Sequence, residues 1–408
     1  ADPSESDAMS DNDNFRTRLL ETYPVTEYEL DYLTKFRDFY FDTDSTDFSF
    51  SAWLELSSAR DTPHAELLKQ IETMLLPLDF ASTLFETAIS KVITLGCDER
   101  DKELHTFLEA AVTCLGRRGP KAIIDLVSCC CLEEDARLWI YQLTLASHLL
   151  LEQETSEMEI IQKAPDSWTS HNQSFRDWAN NVAPQAYTAL STFVHLALFT
   201  RDHAFRPSTP PLLLPKLDEK STILCESKAA LDLASSIALM SPNLGGAWHR
   251  LHSTDDDGCS FYTMQRALIG YQGPTVILIR STSGDVFGFS TDCPWKLSTK
   301  WFGESSDSFL FAIHPKVALY PATGQGKHYM YLNLPPRHRP QDLKGMAMGG
   351  ISSDTPRLLV TESFQDCRAC SIDMTFASGP ILSNDMQAYF DVDVLEIWAT
   401  GQSLEVFQ

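Results

Sequence analysis

The sequence predicts an α+β protein in which an all-α N-terminal domain precedes a β-rich C-terminal domain. The first observation is the distribution of glycine, with 3 residues in positions 1–221 and 15 in positions 222–408. Glycine is unfavourable inside helices and is needed in tight turns, so strands and turns are expected in the second part. The other two observations are apolar residues at helical spacing before position 205 and short apolar runs between turn residues after position 240.

The apolar stripes of the first part predict a series of helices. Residues 14–41 and 64–95 show the 3.6-residue spacing, and Pro77 interrupts the second stretch. The same spacing predicts four further helices, in residues 101–115, 120–132, 134–151 and 174–199.

The second part begins with a predicted amphipathic helix, Ile223–Met240, capped by Ser221 or Thr222. A hairpin follows, in which the run Val276–Ile279 forms one strand, residues 281–284 the turn, and Asp285–Phe289 the return strand. Five later strands are expected at Phe309–Ile313, Val317–Tyr320, Tyr329–Leu332, Leu358–Thr361 and Val394–Ala399. Their spacing is typical of two packed antiparallel sheets.

The composition divides the chain into five segments. Residues 1–14 are polar and acidic and are expected to be disordered or a cloning remnant, and residues 403–408 form a tail. Between them lie a helical domain (15–204), a proline-rich linker (205–222) and the β-rich domain (223–402).

The chain is strongly acidic, with a net charge of -24 and a pI of about 4.7. Residues 1–221 hold 19 Lys and Arg against 37 Asp and Glu, so most of the negative charge lies in the helical part. This charge argues against unaided binding to nucleic acid or to an anionic membrane, because both require basic patches. It favours partners that have basic surfaces.

Ten cysteines are present, including the adjacent Cys129, Cys130 and Cys131. They fall in predicted helices and strands of a large chain rather than in the loops of a small secreted one, so we expect reduced, mostly buried thiols. No apolar run is long enough to span a membrane. The chain begins with Ala1, so any lipidation motif at a native start would lie outside it.

Two candidate sites for chemistry are visible. Asp42, Asp44 and Asp47 lie between two predicted helices and resemble an EF-hand loop, although its sixth position is Asp47 and its twelfth Trp53 instead of the Gly and Glu that calcium binding favours. Cys367 and Cys370 form a Cys-x-x-Cys pair that could be redox active or half of a zinc site, or could be two ordinary thiols. No nucleophile elbow, phosphate loop or complete metal site is present, so we predict binding rather than catalysis, and no cofactor.

An ordered series of motifs in the second part resembles the TLDc domain family. It begins with Trp-x-x-Leu-x-Ser from Trp248, Asp-Gly-x-Ser-Phe from Asp257 and Gly-Pro-Thr from Gly273, and it ends with Leu-Glu-Ile-Trp from Leu395. The residues that define this resemblance are Trp248, Gly258, Phe261, Gly273, Phe287, Gly288, Phe309, Tyr320, Gly324, Gly349, Gly350 and Trp398. An acidic, EF-hand-like helical half before such a domain is most similar to the mTOR-associated lysosomal TLDc proteins, with fungal vacuolar TLDc proteins as the near alternative.

The resemblance implies a non-enzymatic protein that binds and regulates the vacuolar proton pump (V-ATPase) through the pump's peripheral subunits. It implies a cytoplasmic protein that is peripheral on the lysosomal or vacuolar membrane, attached there indirectly or by an N-terminal lipid. It also implies a link to mTOR signalling, possible mTOR-pathway partners, or oxidative-stress resistance. We expect the acidic loop Glu304, Ser305, Ser306 and Asp307, and the rim at Glu362, to supply polar contacts to the partner. The alternatives are a thiol antioxidant acting through Cys367 and Cys370, and a calcium-responsive adaptor.

Overall fold

A computed structural model describes most of the chain. The described residues are 14–42, 77–92, 99–130, 133–152, 164, 168, 174–199, 212–224, 228–333, 343–352, 354–384 and 389–400. The chain divides into two compact units. The first comprises residues 1–164, 174–179 and 185–212, and the second comprises residues 165–173, 180–184 and 213–408.

The described part of the first unit is helical. Its helices are α1 (residues 14–22), α2 (Glu27–Asp42), α3 (Pro77–Lys91), α4 (Glu99–Cys114), α5 (Pro120–Cys130), α6 (Glu133–Glu152), the beginning of α7 (Phe175–Asn181) and α8 (Ala186–Leu198). Phe36, Phe85 and Phe107, from α2, α3 and α4, are fully buried and pack edge to face with centroids 5.2 to 5.5 Å apart. Aromatic pairs of this geometry stabilise a core beyond the area that they bury.

An ion pair joins the start of α2 to the loop before α5. The Thr26 hydroxyl accepts from the Glu29 N–H at 3.2 Å and the Glu29 carboxylate accepts from the Thr26 N–H at 2.8 Å, which is a capping box. The two terminal guanidinium nitrogens of Arg117 also donate to Glu29, at 2.8 and 2.5 Å. Burial alone would raise the pKa of Glu29, but the bonds from Arg117 and Thr26 lower it below its ordinary value of 4.5.

The second unit contains two sheets. The first has the strand order β1-β2-β12-β3-β4-β5-β6 and the second the order β11-β10-β9-β8-β7. The strands are β1 (Pro215–Leu217), β2 (Gly246–Ser253), β3 (Thr275–Ser281), β4 (Val286–Thr291), β5 (Phe309–His314), β6 (Ala318–Pro321), β7 (Met330–Asn333), β8 (Gly345–Ser352), β9 (Thr355–Val360), β10 (Cys367–Ala369), β11 (Tyr389–Phe390) and β12 (Val392–Thr400). Only β1 pairs in parallel among the described strands, and β12 lies between β2 and β3.

The core of this unit lies between the two sheets. Ile277, Phe287 and Leu310 from the first sheet pack in one buried cluster with Met348 and Leu358 from the second. Helix α11 (Phe261–Gly270) adds further side chains to the same cluster. This unit also contains α9 (Lys228–Met240), the short α10 (Thr254–Asp257) and a 3-10 turn at Pro242–Leu244. The α+β prediction with two packed, mainly antiparallel sheets is therefore confirmed.

Many of the twelve residues that define the resemblance have clear structural roles. Trp248 and Trp398 are fully buried on β2 and β12, with ring centroids 6.1 Å apart. Gly288 lies where a Cβ atom would be 2.2 Å from the Ile277 carbonyl oxygen, so the hairpin strands can approach only without a side chain there. Phe261, Phe287, Phe309 and Tyr320 are buried, and Gly258, Gly324, Gly349 and Gly350 have positive φ angles.

Three expectations require correction. The helix predicted over residues 174–199 is two helices, α7 and α8, because Pro184 lacks the N–H that a continuous helix needs. The segment from Ile223 to Leu224 is not helical, and the described part of α9 starts at Lys228, because the Glu396 carboxylate binds the backbone of residues 222 and 223. The prediction of mostly buried thiols was wrong for the described cysteines. Cys114 and Cys367 are buried, whereas Cys129, Cys259 and Cys370 are exposed and Cys130 and Cys293 are half-buried. The buried stripe of α5, formed by Ile123, Ile124, Leu126 and Val127, turns Cys129 outward.

Candidate functional site

The acidic loop Glu304–Asp307 lies between two fixed points of the β-rich unit. On one side, Phe302 and Met330 exchange backbone hydrogen bonds of 2.9 and 3.0 Å, and on the other side β5 starts at Phe309. Gly303 has a φ of 76° and packs so closely on Met330 that a Cβ atom would be 2.3 Å from its sulfur. The loop therefore leaves the sheet at a defined angle.

Local hydrogen bonds hold the loop while its carboxylates face outward. The Ser305 hydroxyl accepts from the Asp307 N–H at 3.1 Å, and the Ser306 hydroxyl donates to the Asp307 carboxylate at 3.4 Å. Glu304, Ser306 and Asp307 are exposed, and no ion pair is found for either acid among the described residues. Burial raises the pKa of Tyr329, and the nearby Glu304 charge raises it further. Both carboxylates remain available to donors on another molecule.

Glu362 lies in a tight turn between β9 and β10. Phe364 and Asp366 have positive φ angles of 60° and 51°, and Phe364 is buried with its ring 6.0 Å from that of Phe261. The Thr361 hydroxyl donates to the Gln365 carbonyl at 2.5 Å. The turn is thus anchored by an apolar side chain, and it presents Glu362 to solvent.

The structure does not bring the two candidate contacts together. The loop at Glu304 leaves the sheet beside Met330, the first residue of β7. Leu332 of β7 pairs with Met346 of β8, and Met346 pairs in turn with Val360 of β9. Val360 precedes Glu362 by two residues. Glu362 therefore lies at the opposite end of the strands from Glu304, two strands further across the second sheet.

The two cysteines of the Cys-x-x-Cys pair lie in different environments. Cys367 begins β10 and is completely buried, and burial raises the pKa of its thiol. Cys370 is exposed and follows the end of the same strand. The thiolate is the reactive form of cysteine, so the geometry does not favour Cys367 as a redox nucleophile.

Cys370 also lines a cavity of about 370 Å³ on the second sheet. The other lining residues are mainly apolar and include Ile351, Ile372, Pro380, Ile381 and Leu382. Ile351 and Ile372 are among the exposed large hydrophobic side chains of the described chain. The cavity is an apolar depression that holds one exposed thiol.

A fully buried arginine was missed by sequence reasoning. Arg357 on β9 donates to the Ala377 and Gly379 carbonyls at 3.0 and 2.6 Å, and its guanidinium lies 4.7 Å from the centre of the Tyr320 ring. Asp373 lies 3.8 Å away and accepts from the N–H groups of Gly350 and Thr375. Burial lowers the pKa of Arg357, and the Asp373 charge opposes that shift. A charged residue inside the apolar run of β9 was the available signal.

A buried carboxylate was missed in the same way. Glu396 is fully buried in the middle of β12 and accepts from the Ser221 hydroxyl and the Thr222 N–H, both at 2.6 Å. The Trp398 indole N–H donates to it at 3.1 Å. This carboxylate ties the segment before α9 to β12, an inner strand of the first sheet. Its position within Leu-Glu-Ile-Trp was again the visible signal.

The predicted calcium loop falls at a gap in the described part of the chain. The side chains of Asp42, Asp44 and Asp47 lie outside the described residues. In the described part of the chain, no group of three or more His, Cys, Asp or Glu side chains could hold a metal ion. None of the helices in that part has the length and apolar character needed to cross a membrane.

Comparison with known proteins identifies a family match in the β-rich part and several curated relatives of the chain. Residues 218–401 match the family model described as the TLDc domain. The chain is 30% identical to the MTOR-associated protein MEAK7 of Mus musculus over 235 residues, which are 57% of this chain and 49% of that protein. It is 29% identical to MEAK7 of Danio rerio over 256 residues, which are 62% of this chain and 53% of that protein. The chain therefore spans about half the length of these curated relatives.

A second group of relatives has a different name. The chain is 26% identical to the oxidation resistance protein 1 of Xenopus laevis over 157 residues, which are 38% of this chain and 16% of that protein.

Proposed function

We propose that this chain, whose residues 218–401 match the TLDc domain model, binds and regulates the V-ATPase without catalysing a reaction itself. In this proposal the protein is cytoplasmic and peripheral on the lysosomal or vacuolar membrane, where it contacts the pump's peripheral subunits. The names of the MEAK7 and oxidation resistance relatives support a further link to mTOR-pathway proteins or to oxidative stress.

The observation that carries the proposal is the geometry of the Glu304–Asp307 loop within the TLDc domain. Its backbone is fixed by the Phe302–Met330 pairing and by β5, so little conformational entropy is lost when a partner binds. Its two exposed carboxylates can accept hydrogen bonds from lysine or arginine side chains. The net charge of -24 also favours approach to a basic surface.

The test is a pull-down of pump subunits from detergent-solubilised lysosomes with the full chain as bait. The double charge reversal Glu304→Lys with Asp307→Lys should reduce retention of the pump at least tenfold, because two attractive contacts become repulsive. The matched control is Asp255→Lys with Asp354→Lys, which changes the net charge equally at two other exposed sites. Unchanged retention by the loop variant would contradict the assignment of this loop.

Glu362 is tested separately because it lies at the other end of the sheet. Glu362→Lys alone should weaken pump retention if this rim forms a second contact, and the effect should then add to that of the loop variant. A complete failure of the unmodified chain to retain any pump subunit would reject pump binding itself.

A further inference from the structure

Adjacent thiols stand at the end of helix α5. Cys129 is exposed and Cys130, the last residue of the helix, is half-buried. The Cys130 thiol donates to the Leu126 carbonyl at 3.1 Å. Because the apolar stripe of α5 faces the core, Cys129 is presented to solvent.

The end of helix α3 places an ammonium group beside these thiols. Lys91 is the last residue of α3 and hydrogen-bonds to Cys129. This bond and the Cys129 charge raise the pKa of Lys91, and the Cys130 charge adds to the effect. The exposed ammonium group of Lys91 is thus a hydrogen-bonding neighbour of the exposed Cys129 thiol.

The arrangement does not suit disulfide chemistry. Consecutive Cα atoms are about 3.8 Å apart, whereas a disulfide needs a separation of about 4.4 to 6.8 Å. Cys114, whose charge would interact with Cys130, is completely buried, and burial raises the pKa of its thiol. Burial also raises the pKa of Cys130, although a hydrogen bond with Thr87 opposes this. Cys129 is exposed and is therefore the most accessible nucleophile of the three thiols, so a group transfer to a single thiol fits this arrangement.

We propose that Cys129, with Cys130 as a second acceptor, is a site of S-acylation by a long-chain acyl-coenzyme A. The Cys129 sulfur attacks the thioester carbonyl carbon, a new carbon–sulfur bond forms, and the carbon–sulfur bond to coenzyme A breaks. The proton given up by the Cys129 thiol is taken up by the departing coenzyme A thiolate. No oxidant or reductant is needed.

Two adjacent acceptors match the physical requirement for stable anchoring. One acyl chain gives only marginal membrane binding, with an association constant of about 10⁴ M⁻¹, whereas two signals give a lasting anchor. A chain of net charge -24 gains no attraction from anionic lipid headgroups. The inference goes beyond pump binding and does not depend on it. The pump pull-down is performed in detergent, where membrane anchoring plays no part, so the two proposals can fail separately.

The decisive experiment is acyl exchange on the full chain expressed in cultured eukaryotic cells. Free thiols are blocked, thioesters are cleaved with hydroxylamine, and the released thiols are tagged with a maleimide polymer that shifts the band on a gel. One or two hydroxylamine-dependent tags are expected, and Cys129→Ser with Cys130→Ser should remove them. The matched control, Cys259→Ser with Cys370→Ser, also removes two exposed thiols and should keep the tags.

Two results would overturn the proposal. One is the absence of hydroxylamine-dependent tags on the unmodified chain, and the other is their persistence in the Cys129→Ser, Cys130→Ser variant. Circular dichroism of both double variants checks that the helices remain folded.

Lys91 is assigned as a positioning residue, and its role is tested with purified protein and palmitoyl-coenzyme A. Lys91→Gln should slow the first acylation, followed by intact mass, several-fold, and Lys91→Arg should restore the rate. Alkylation of Cys370 in the same samples reports general thiol reactivity and should not change. Equal acylation rates for all three proteins would show that Lys91 has no such role.

Discussion

The Ser221 hydroxyl donates to the Glu396 carboxylate at 2.6 Å, and both side chains are buried although they are 175 residues apart in the chain. The same carboxylate accepts from the Thr222 N–H, and the Ser221 oxygen accepts from the Leu224 N–H at 2.7 Å. One charged side chain thus satisfies donors that would otherwise be buried without partners. It holds the segment between β1 and α9 against the first sheet.

Replacing Glu396 should destabilise the second unit. Glu396→Gln should lower the free energy of unfolding by about 1.5 to 3 kcal/mol, because charge-assisted hydrogen bonds are lost. Glu396→Ala should cost more, since the donors of Ser221, Thr222 and Trp398 then lack an acceptor. Urea unfolding followed by tryptophan fluorescence measures both. The exposed Glu362→Gln should stay within about 0.5 kcal/mol of the unmodified protein, and an equal loss there would refute a specific role for Glu396.

Arg357 should not tolerate exchange for lysine. Its planar guanidinium reaches two carbonyl oxygens and also faces the Tyr320 ring, an arrangement that a single ammonium does not reproduce. Arg357→Lys should therefore reduce the free energy of unfolding by about 2 to 4 kcal/mol. The half-buried Arg368→Lys on the adjacent strand is the control. Equal chemical denaturation midpoints for the two variants would contradict this expectation.

His195 should make the stability of the helical unit depend on pH. Burial lowers its pKa to about 4, from an ordinary value of 6.5. Between these values the unfolded chain binds a proton that the folded chain does not, so stability is fully present above pH 6.5 and falls as the pH drops towards 4. The whole shift corresponds to about 3 kcal/mol. The contribution of Glu29, whose pKa is lowered, is lost only below about pH 4.5.

The measurement is urea unfolding followed by far-ultraviolet circular dichroism at several pH values from 7 down to 4.5. The non-titrating variant His195→Phe should show a flatter dependence of stability on pH than the unmodified protein. Identical slopes would mean that His195 does not carry this dependence.

Cysteine labelling should separate the members of the Cys-x-x-Cys pair. In the native protein Cys370 should react with iodoacetamide at neutral pH, whereas Cys367 should react only after unfolding, because it is buried and its pKa is raised. Mass spectrometry of the alkylated peptides gives both rates. Peroxide consumption should be the same for the unmodified protein and for Cys367→Ser with Cys370→Ser. A loss of consumption in that variant would support the thiol antioxidant alternative.

The pattern of the sequence was sufficient for most of the β-rich fold. Alternating and continuous apolar runs predicted β3, β5 and β12 to within one or two residues at each end, because burial on one or both faces leaves a clear periodic signal. The start of α9 was not predictable, since Ile223 and Leu224 fit the helical stripe. Their conformation depends on Glu396, a residue far away in the chain.

The candidate sites were harder to predict for a related reason. Acidic loop residues at Glu304 and Glu362 were recognisable, but their separation depends on strand register, which the sequence does not reveal. The exposure of Cys129 depends on which face of α5 packs inward. Arg357 and Glu396 interrupted apolar strands, and such charges in a predicted core identify buried polar contacts even when their partners are unknown.

The position of β12 has a consequence for synthesis of the protein. This strand is the last one described, yet it lies between β2 and β3 and provides the acceptor for Ser221. During translation the ribosome makes β2 and β3 more than a hundred residues before the strand that joins them. The first sheet therefore cannot form completely until residues 392–400 have emerged. A premature stop before them leaves one edge of β2 and one edge of β3 unpaired and open to aggregation.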